Sequence, residues 1–205
     1  MTKRLNAKKK ISRKLGASLW GQAKDPFIKR NFKPGQHGAA SKGRSTDYGV
    51  QLKAKQRLKF YYGNISEKQF RNMFELASKT RGDTSENFIG MLESRLDAVV
   101  YRANFVPSVF AARQFVSHKH VTVNGKTVNI SSYRLKVGDV VQVREKSREL
   151  TIVLDSLQKK ERDIPVYLDL NSEEKSIKLV SKPMFSDVPY AAEMQPHLIT
   201  EFYSR

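Results

Sequence analysis

Four histidines, His37, His118, His120 and His197, and no cysteine make up the soft-ligand inventory of this 205-residue chain. The missing thiols remove disulfides, thiolate nucleophiles, Cys-ligated zinc and iron–sulfur clusters together. Four scattered imidazoles do not supply a dedicated metal site. His118 and His120 would face the same way on a strand, but no acid stands beside them and Lys119 between them disfavours a cation. Hydrogen bonding or stacking to RNA suits the pair better. Nucleophilic and acid–base chemistry fare no better. Serines and aspartates are plentiful, yet no Gly-x-Ser-x-Gly elbow occurs, and Glu93, Asp97 and Asp139 read as ion-pair or turn residues rather than a catalytic pair.

Phosphate chemistry has more to work with. Pro34-Gly35-Gln36-His37-Gly38 lies between Lys29, Arg30 and Lys33 on one side and Lys42 and Arg44 on the other. Glycines let a backbone approach phosphates and present its N–H groups, while flanking cations neutralise them. Nucleotide-loop spacings are missing and no strand precedes the segment, so a mononucleotide site is not indicated. Tyr48, between Arg44 and Lys53, is a candidate for stacking on a base. Phe70 and Phe74 fall on an inward helical face and read as core.

The charge balance agrees. The chain carries 38 Lys and Arg against 20 Asp and Glu, a formal net charge of +18. Residues 1–60 hold 17 basic and 2 acidic side chains, or +15; residues 61–91 balance; residues 92–148 carry +6 and residues 149–205 carry −3. That asymmetry is the footprint of a polyanion binder with one intensely basic arm and a second, milder patch. No window reaches the length of an apolar membrane span, and the basic start is not followed by a signal-peptide core, which points to an intracellular protein. A mitochondrial transit peptide is the competing reading of the acid-poor N-terminus.

The elements that must position these residues follow from periodicity. Residues 1–45 show little apolar period and predict an extended, irregular arm that orders on its partner, and whose removal leaves the fold cooperative. A cationic helix runs from about residue 49 to Tyr61. A second follows a Ser66/Gln69 capping box with Phe70, Met73, Phe74 and Ala77 on one face. Thr84 or Ser85 opens a third, with apolar spacing kept from Phe88 to Ala103, and Ser108 caps a fourth that ends near His118. Val121 and Val123, the Asn124-Gly125 turn, and Val128 and Ile130 then predict a hairpin, with Val140, Val141 and Val143 as a further strand. Leu150–Leu157 fits strand or helix. Residues 166–170 and 177–179 suggest another hairpin, and Pro196–Arg205 forms a short amphipathic segment.

With that helix–helix–sheet unit in place, residues 92–148 resemble the RNA-binding module named after ribosomal protein S-four. The likeness runs through Leu-Glu-Ser-Arg-Leu-Asp-Ala-Val-Val-Tyr-Arg from Leu92, Ala-Arg-Gln-Phe-Val-Ser-His from Ala112, Val-Asn-Gly-Lys-Thr-Val from Val123 and Val-Gly-Asp-Val-Val from Val137. Pro-Gly-Gln-His-Gly at 34–38, Asp-Tyr-Gly-Val-Gln-Leu at 47–52, Gln-Phe-Arg-Asn at 69–72 and His-Leu-Ile-Thr-Glu-Phe-Tyr-Ser-Arg at 197–205 extend it, over essentially the whole chain, to the bacterial-type S-four family of small-subunit ribosomal proteins.

The resemblance implies an α+β protein without catalysis or cofactors. Its domain plan is a basic arm at 1–45, a helical domain at 46–91 completed by 150–205, and the S-four module at 92–149. It implies a primary binder of small-subunit rRNA that nucleates assembly of the subunit body, neighbours ribosomal protein S-five and contributes to translational accuracy in the cytoplasmic ribosome. A bacterial-type organelle is the alternative location, and its own messenger is a further candidate partner. Membranes and small-molecule substrates are not implied. Some members bind zinc through an N-terminal Cys cluster, which does not carry over to a chain without Cys.

By position, the module's RNA face should include Arg95, Arg102, Arg113, His118, Lys119 and Lys126. Lys33, Gln36, His37, Arg44, Tyr48, Lys53, Lys55 and Arg57 would serve from the other domain. On that reading, replacing Arg95 and Arg113 costs affinity and leaves stability alone. Two rivals of other classes are an RNA-modifying enzyme tethered by the same module, for which only residues 149–205 remain as a catalytic domain, and a histone-like DNA compactor suggested by charge alone.

Overall fold

The structure, a computed structural model, describes residues 8–40 and 46–204. It divides into two compact units, Met1–Asn72 with Tyr190–Arg205, and Met73–Pro189.

The first unit opens on α1 (Lys8–Leu15), whose Ile11 and Leu15 are buried together with Leu19 beyond it. Gly16 follows in the left-handed region at φ 65°, the usual glycine stop. Asp25 caps the short α2 (Pro26–Lys29) by accepting from Phe27 N–H, with proline at the first helical position. The expectation of an extended arm therefore meets a difference: within residues 8–40 three apolar side chains are spaced to insert into a core, and the stretch contributes to the unit's packing. Thr46 caps α3 (Asp47–Tyr61), accepting from Gly49 N–H at 3.2 Å. Ser66 receives Gln69 N–H at 3.4 Å at the head of α4 (Glu67–Lys79), as its spacing predicts.

The second unit begins inside α4. α5 (Thr84–Glu93) opens at Thr84, one of the two expected positions, with Asp83 capping it through Glu86 N–H. The apolar run that reads as one helix breaks at Ser94-Arg95 before α6 (Leu96–Arg102). The break has a tertiary cause. Residues 131–135 dock there, with Leu96 N–H donating to Tyr133 O, Asp97 N–H to Ser131 O, and Leu135 N–H to Ser94 O. A helix start must find acceptors for its first N–H groups, and this segment supplies them. Ser108 then caps α7 (Val109–Ser117) as expected.

The sheet follows: β1 (Val121–Val123), β2 (Lys126–Thr127) and β3 (Val140–Val143). Asn124 and Gly125 both take positive φ, as a two-residue turn of this hand requires. The return strand stops at Thr127 instead of running through Ile130, because the chain leaves the ladder to reach the start of α6. The segment that fits strand or helix is a helix, α8 (Thr151–Lys159). The second hairpin is present as β4 (Leu168–Asn171) and β5 (Ser176–Leu179), but it does not stand apart. β5 pairs with β3, so five antiparallel strands form one sheet in the order β2-β1-β3-β5-β4. That pairing explains why residues 150–189 pack with the module and not with the helical unit assigned to them in the expected domain plan. The chain returns to the first unit with α9 (Pro196–Tyr203), which packs on α3.

Two buried ion pairs tie the second unit together. The Glu93 carboxylate takes Arg102 Nη2 at 2.8 Å, Arg102 Nε at 3.1 Å and Tyr167 hydroxyl at 2.8 Å. Asp97 takes Arg95 Nε at 2.9 Å and Nη2 at 2.7 Å. Removing one partner strands a charge in a dry site, which costs far more than the pair contributes net. Glu93→Ala is therefore expected to lower the unfolding midpoint of the second unit by about 10 °C, corresponding to roughly 3–5 kcal/mol. Thermal unfolding followed by circular dichroism checks this, and an unchanged midpoint would show that the pair is dispensable.

Candidate nucleic-acid interface

On α3, residues 48, 53, 55 and 57 divide by direction. Tyr48 is half exposed, its ring centroid 5.6 Å from that of Phe202 on α9. Lys53 is exposed, and its ammonium stands 3.4 Å from where a Cβ on Gly16 would lie. Partial burial, then the neighbouring charges of Arg57 and Lys33, hold its pKa below the ordinary lysine value. Arg57, one turn on, donates to the carbonyls of Glu193 at 2.9 Å and Leu15 at 3.4 Å. The latter contact places a cation at the carbonyl end of α1, where the helix dipole favours it.

Lys55 is drawn fully inward. It pairs with Glu67 at 2.8 Å and lies 4.1 Å above the Phe202 ring. Lys59 at 3.0 Å and the Tyr203 hydroxyl at 2.9 Å complete the set around Glu67. Burial alone would raise the Glu67 carboxyl, but hydrogen bonds from Lys55, Lys59 and Tyr203 outweigh it and hold the pKa at about 2. Burial, then the bond to Glu67, raises the Tyr203 phenol. Lys55 thus joins α3, α4 and α9 and is not available to a phosphate, contrary to the sequence expectation. Arg57 likewise spends two of its donors on the fold.

The loop after α2 behaves differently. Lys33, Gln36 and His37 are all exposed. Gly35 takes φ 107° and its carbonyl accepts Gly38 N–H at 3.1 Å, while a Cβ on Gly38 would collide with the Lys33 carbonyl. Arg13, which carries no sequence signal for this role, lies over the Phe32 ring and bonds the loop's first carbonyls. Arg44 lies outside the described residues.

In the second unit the structure corrects two assignments. Arg95 and Arg102 are 1% and 2% exposed and consumed by Asp97 and Glu93, so neither guanidinium reaches a surface ligand. Arg113 stands at the rim of the same cluster, its Nε 3.7 Å from Asp97. His118 and Lys119 are exposed just past α7, in the turn before β1 rather than on a strand, and Lys119 holds φ 64°. Arg144 donates to the Lys119 carbonyl at 3.1 Å. His120 packs inward, stacked on Phe115 at 4.8 Å with Nδ1 2.8 Å from Ser147 Oγ. Burial, then His118 and Arg144, lower its pKa, which favours a neutral ring. Lys126 is exposed on β2. Asp139 is a turn residue, accepting from Lys136 N–H and Asn124 Nδ2. Among the described residues, no group of three His, Asp or Glu could hold a metal ion, and no helix is long and apolar enough to cross a membrane.

What remains on the surface is a set of cations, amide and imidazole donors and one tyrosine, an arrangement suited to phosphates and unstacked bases. A family model described as the ribosomal protein S4/S9 N-terminal domain matches residues 3–93, and one described as the S4 domain matches residues 94–141. Curated relatives called small ribosomal subunit protein uS4 align over all 205 residues, covering both chains completely. They are 59% identical in Brucella abortus (strain S19), 58% in Brucella suis biovar 1 and 56% in Bartonella quintana. The chain belongs to the uS4 family. Its S4-domain match begins at the Ser94-Arg95 break and closes within β3, so β4 and β5 extend the sheet beyond the matched module.

The Glu67 cluster gives a pH dependence. The carboxyl titrates near 4.5 when unfolded and near 2 when folded, so its contribution is complete above pH 4.5 and lost as pH falls towards 2. Because Glu67 is nearly half exposed, Glu67→Gln should cost about 1 kcal/mol at neutral pH. It should also flatten the stability of the first unit between pH 4.5 and 2. Urea unfolding at pH 3 and pH 7 checks this, and an undiminished pH dependence in the variant would assign the acid sensitivity elsewhere.

Proposed function

We propose that this chain is a structural protein of the small ribosomal subunit, working in the cytoplasmic ribosome without a catalytic step. In this reading it is a primary binder of small-subunit rRNA that nucleates assembly of the subunit body and contributes to translational accuracy. The observation that carries the reading is the full-length kinship with uS4 proteins. The surface cations described above supply the chemistry. Lys33, Gln36, His37, Tyr48 and Lys53 serve from the first unit, with Arg44 added on sequence grounds, and Arg113, His118, Lys119 and Lys126 serve from the second. Ribosomal protein S-five is the proposed protein neighbour, and the chain's own messenger a second RNA ligand.

Recognition follows from the kinds of groups. A-form grooves give little base readout, so specificity for a folded junction comes from the spacing of phosphates and from splayed bases. Lysines act as point charges along the backbone, while Tyr48 and His118 offer planar faces. The segment from residue 149 onward, at −3, is the part of the chain best suited to meeting protein rather than RNA.

Binding to a small-subunit rRNA fragment should weaken steeply with salt, with a log–log slope beyond about −5 for roughly 6 or more neutralised phosphates. Lys119→Gln with Lys126→Gln should reduce that slope by about 2 and leave the unfolding midpoint unchanged. A titration across salt concentrations reads both. Equal affinity for duplex DNA over the same range would contradict the rRNA assignment, and an unchanged slope in the double variant would remove these lysines from the contact.

A further inference from the structure

We propose that Arg13 is the positioning residue of the Lys33–Gly38 loop, holding it in the conformation that presents Lys33, Gln36 and His37 to RNA phosphates. The proposal rests on the reading of that loop as an rRNA contact.

The loop is largely exposed. Gly35 lacks the side-chain restriction that would fix its φ of 107°, Phe32 before it is 40% exposed, and Lys33, Gln36 and His37 stand in solvent. Its own backbone bond, Gly38 N–H to Gly35 O at 3.1 Å, closes the turn without fixing the turn's attitude. Arg13 reaches the loop from a firm base, since α1 is anchored on either side of it by the buried Ile11 and Leu15. Its guanidinium carbon lies 4.7 Å from the Phe32 ring centroid. From there Nε donates to the Phe32 carbonyl at 3.1 Å and Nη2 to the Lys33 carbonyl at 3.2 Å. Three contacts from one planar group set two successive peptide planes at the entrance of the loop.

The chemistry explains the choice of residue. A guanidinium presents parallel donors in a rigid fork and stacks on a ring at once, whereas a lysine ammonium cannot do both. Occupying these carbonyls also matters electrostatically. A carbonyl oxygen turned towards a phosphate repels it, and Arg13 engages two such oxygens on its own side. Gly38 lies so close to the Lys33 carbonyl that a Cβ would collide with the oxygen. The Lys33 carbonyl thus takes a donor from Arg13 and has no room beside it for a side chain at position 38.

The test uses the full chain and a small-subunit rRNA fragment. Arg13→Lys keeps the charge and removes the fork, so it should weaken binding about tenfold. It should also lower the magnitude of the log–log salt slope by about 1, as the phosphate contact of Lys33 is lost with the loop's attitude. Lys33→Gln with Gln36→Ala and His37→Ala should weaken binding at least as much, and adding Arg13→Lys to that triple variant should cost nothing further. Gly38→Ala, whose Cβ would collide with the same carbonyl, should reproduce the affinity and slope of Arg13→Lys, and it serves as the test variant if Arg13→Lys does not fold. Wild-type affinity and slope in Arg13→Lys, or in Gly38→Ala where that variant serves, would overturn the proposal. So would additive losses in the combined variant, which would make Arg13 an RNA contact in its own right. Wild-type protein that fails to prefer the rRNA fragment over duplex DNA would instead overturn the functional reading.

Discussion

A polypeptide with a net charge of +18 folds against its own repulsion, and where its few carboxylates stand decides which cations turn inward. Glu93 and Asp97 lie at 0% and 1% exposure, and each captures an arginine through two hydrogen bonds. Glu67, on α4, gathers two lysines from α3 and a tyrosine from α9. These acids neutralise charge where packing demands it. Other cations, among them Lys119 and Lys126, stand exposed, and such groups gain most from an anionic partner. The hydrophobic cores of the two units would not assemble around unpaired guanidinium groups, because an uncompensated buried charge costs several kcal/mol.

Much of this architecture was readable from residue pattern. Ser108 and Ser66 sit where hydroxyl caps belong, Asn124-Gly125 makes the turn that dipeptide favours, and the apolar positions from Phe88 to Ala103 are buried nearly throughout. What escaped was set by tertiary partners. The break at Ser94-Arg95 depends on residues 131–135, about forty positions away. The joining of β5 to β3 depends on edge pairing that alternation alone cannot specify. Residues 150–157 stayed ambiguous because Ile152 and Leu154 are exposed while Val153 between them is buried, so neither period shows cleanly.

The candidate site was readable in outline and not in detail. Counting cations and matching motifs singled out candidate segments, but a basic residue in a motif looks the same whether it faces a phosphate or a buried acid. Arg95 and Arg102 were assigned to the surface on that ground and are structural. Arg13 was passed over because its significance lies in Phe32 and Lys33, twenty residues downstream. Sequence alone gives the charge, whereas direction comes from which oxygen each cation meets.

The division between inward and outward cations can be read directly by lysine acylation with an amine-reactive reagent, quantified by mass spectrometry on the free protein and on its complex with small-subunit rRNA. The account predicts that Lys33, Lys53, Lys119 and Lys126 react in the free protein and become protected in the complex, while Lys55, held by Glu67 and Phe202, stays unreactive in both. Reactive Lys55 in the free protein, or Lys119 and Lys126 equally modified with and without rRNA, would contradict it.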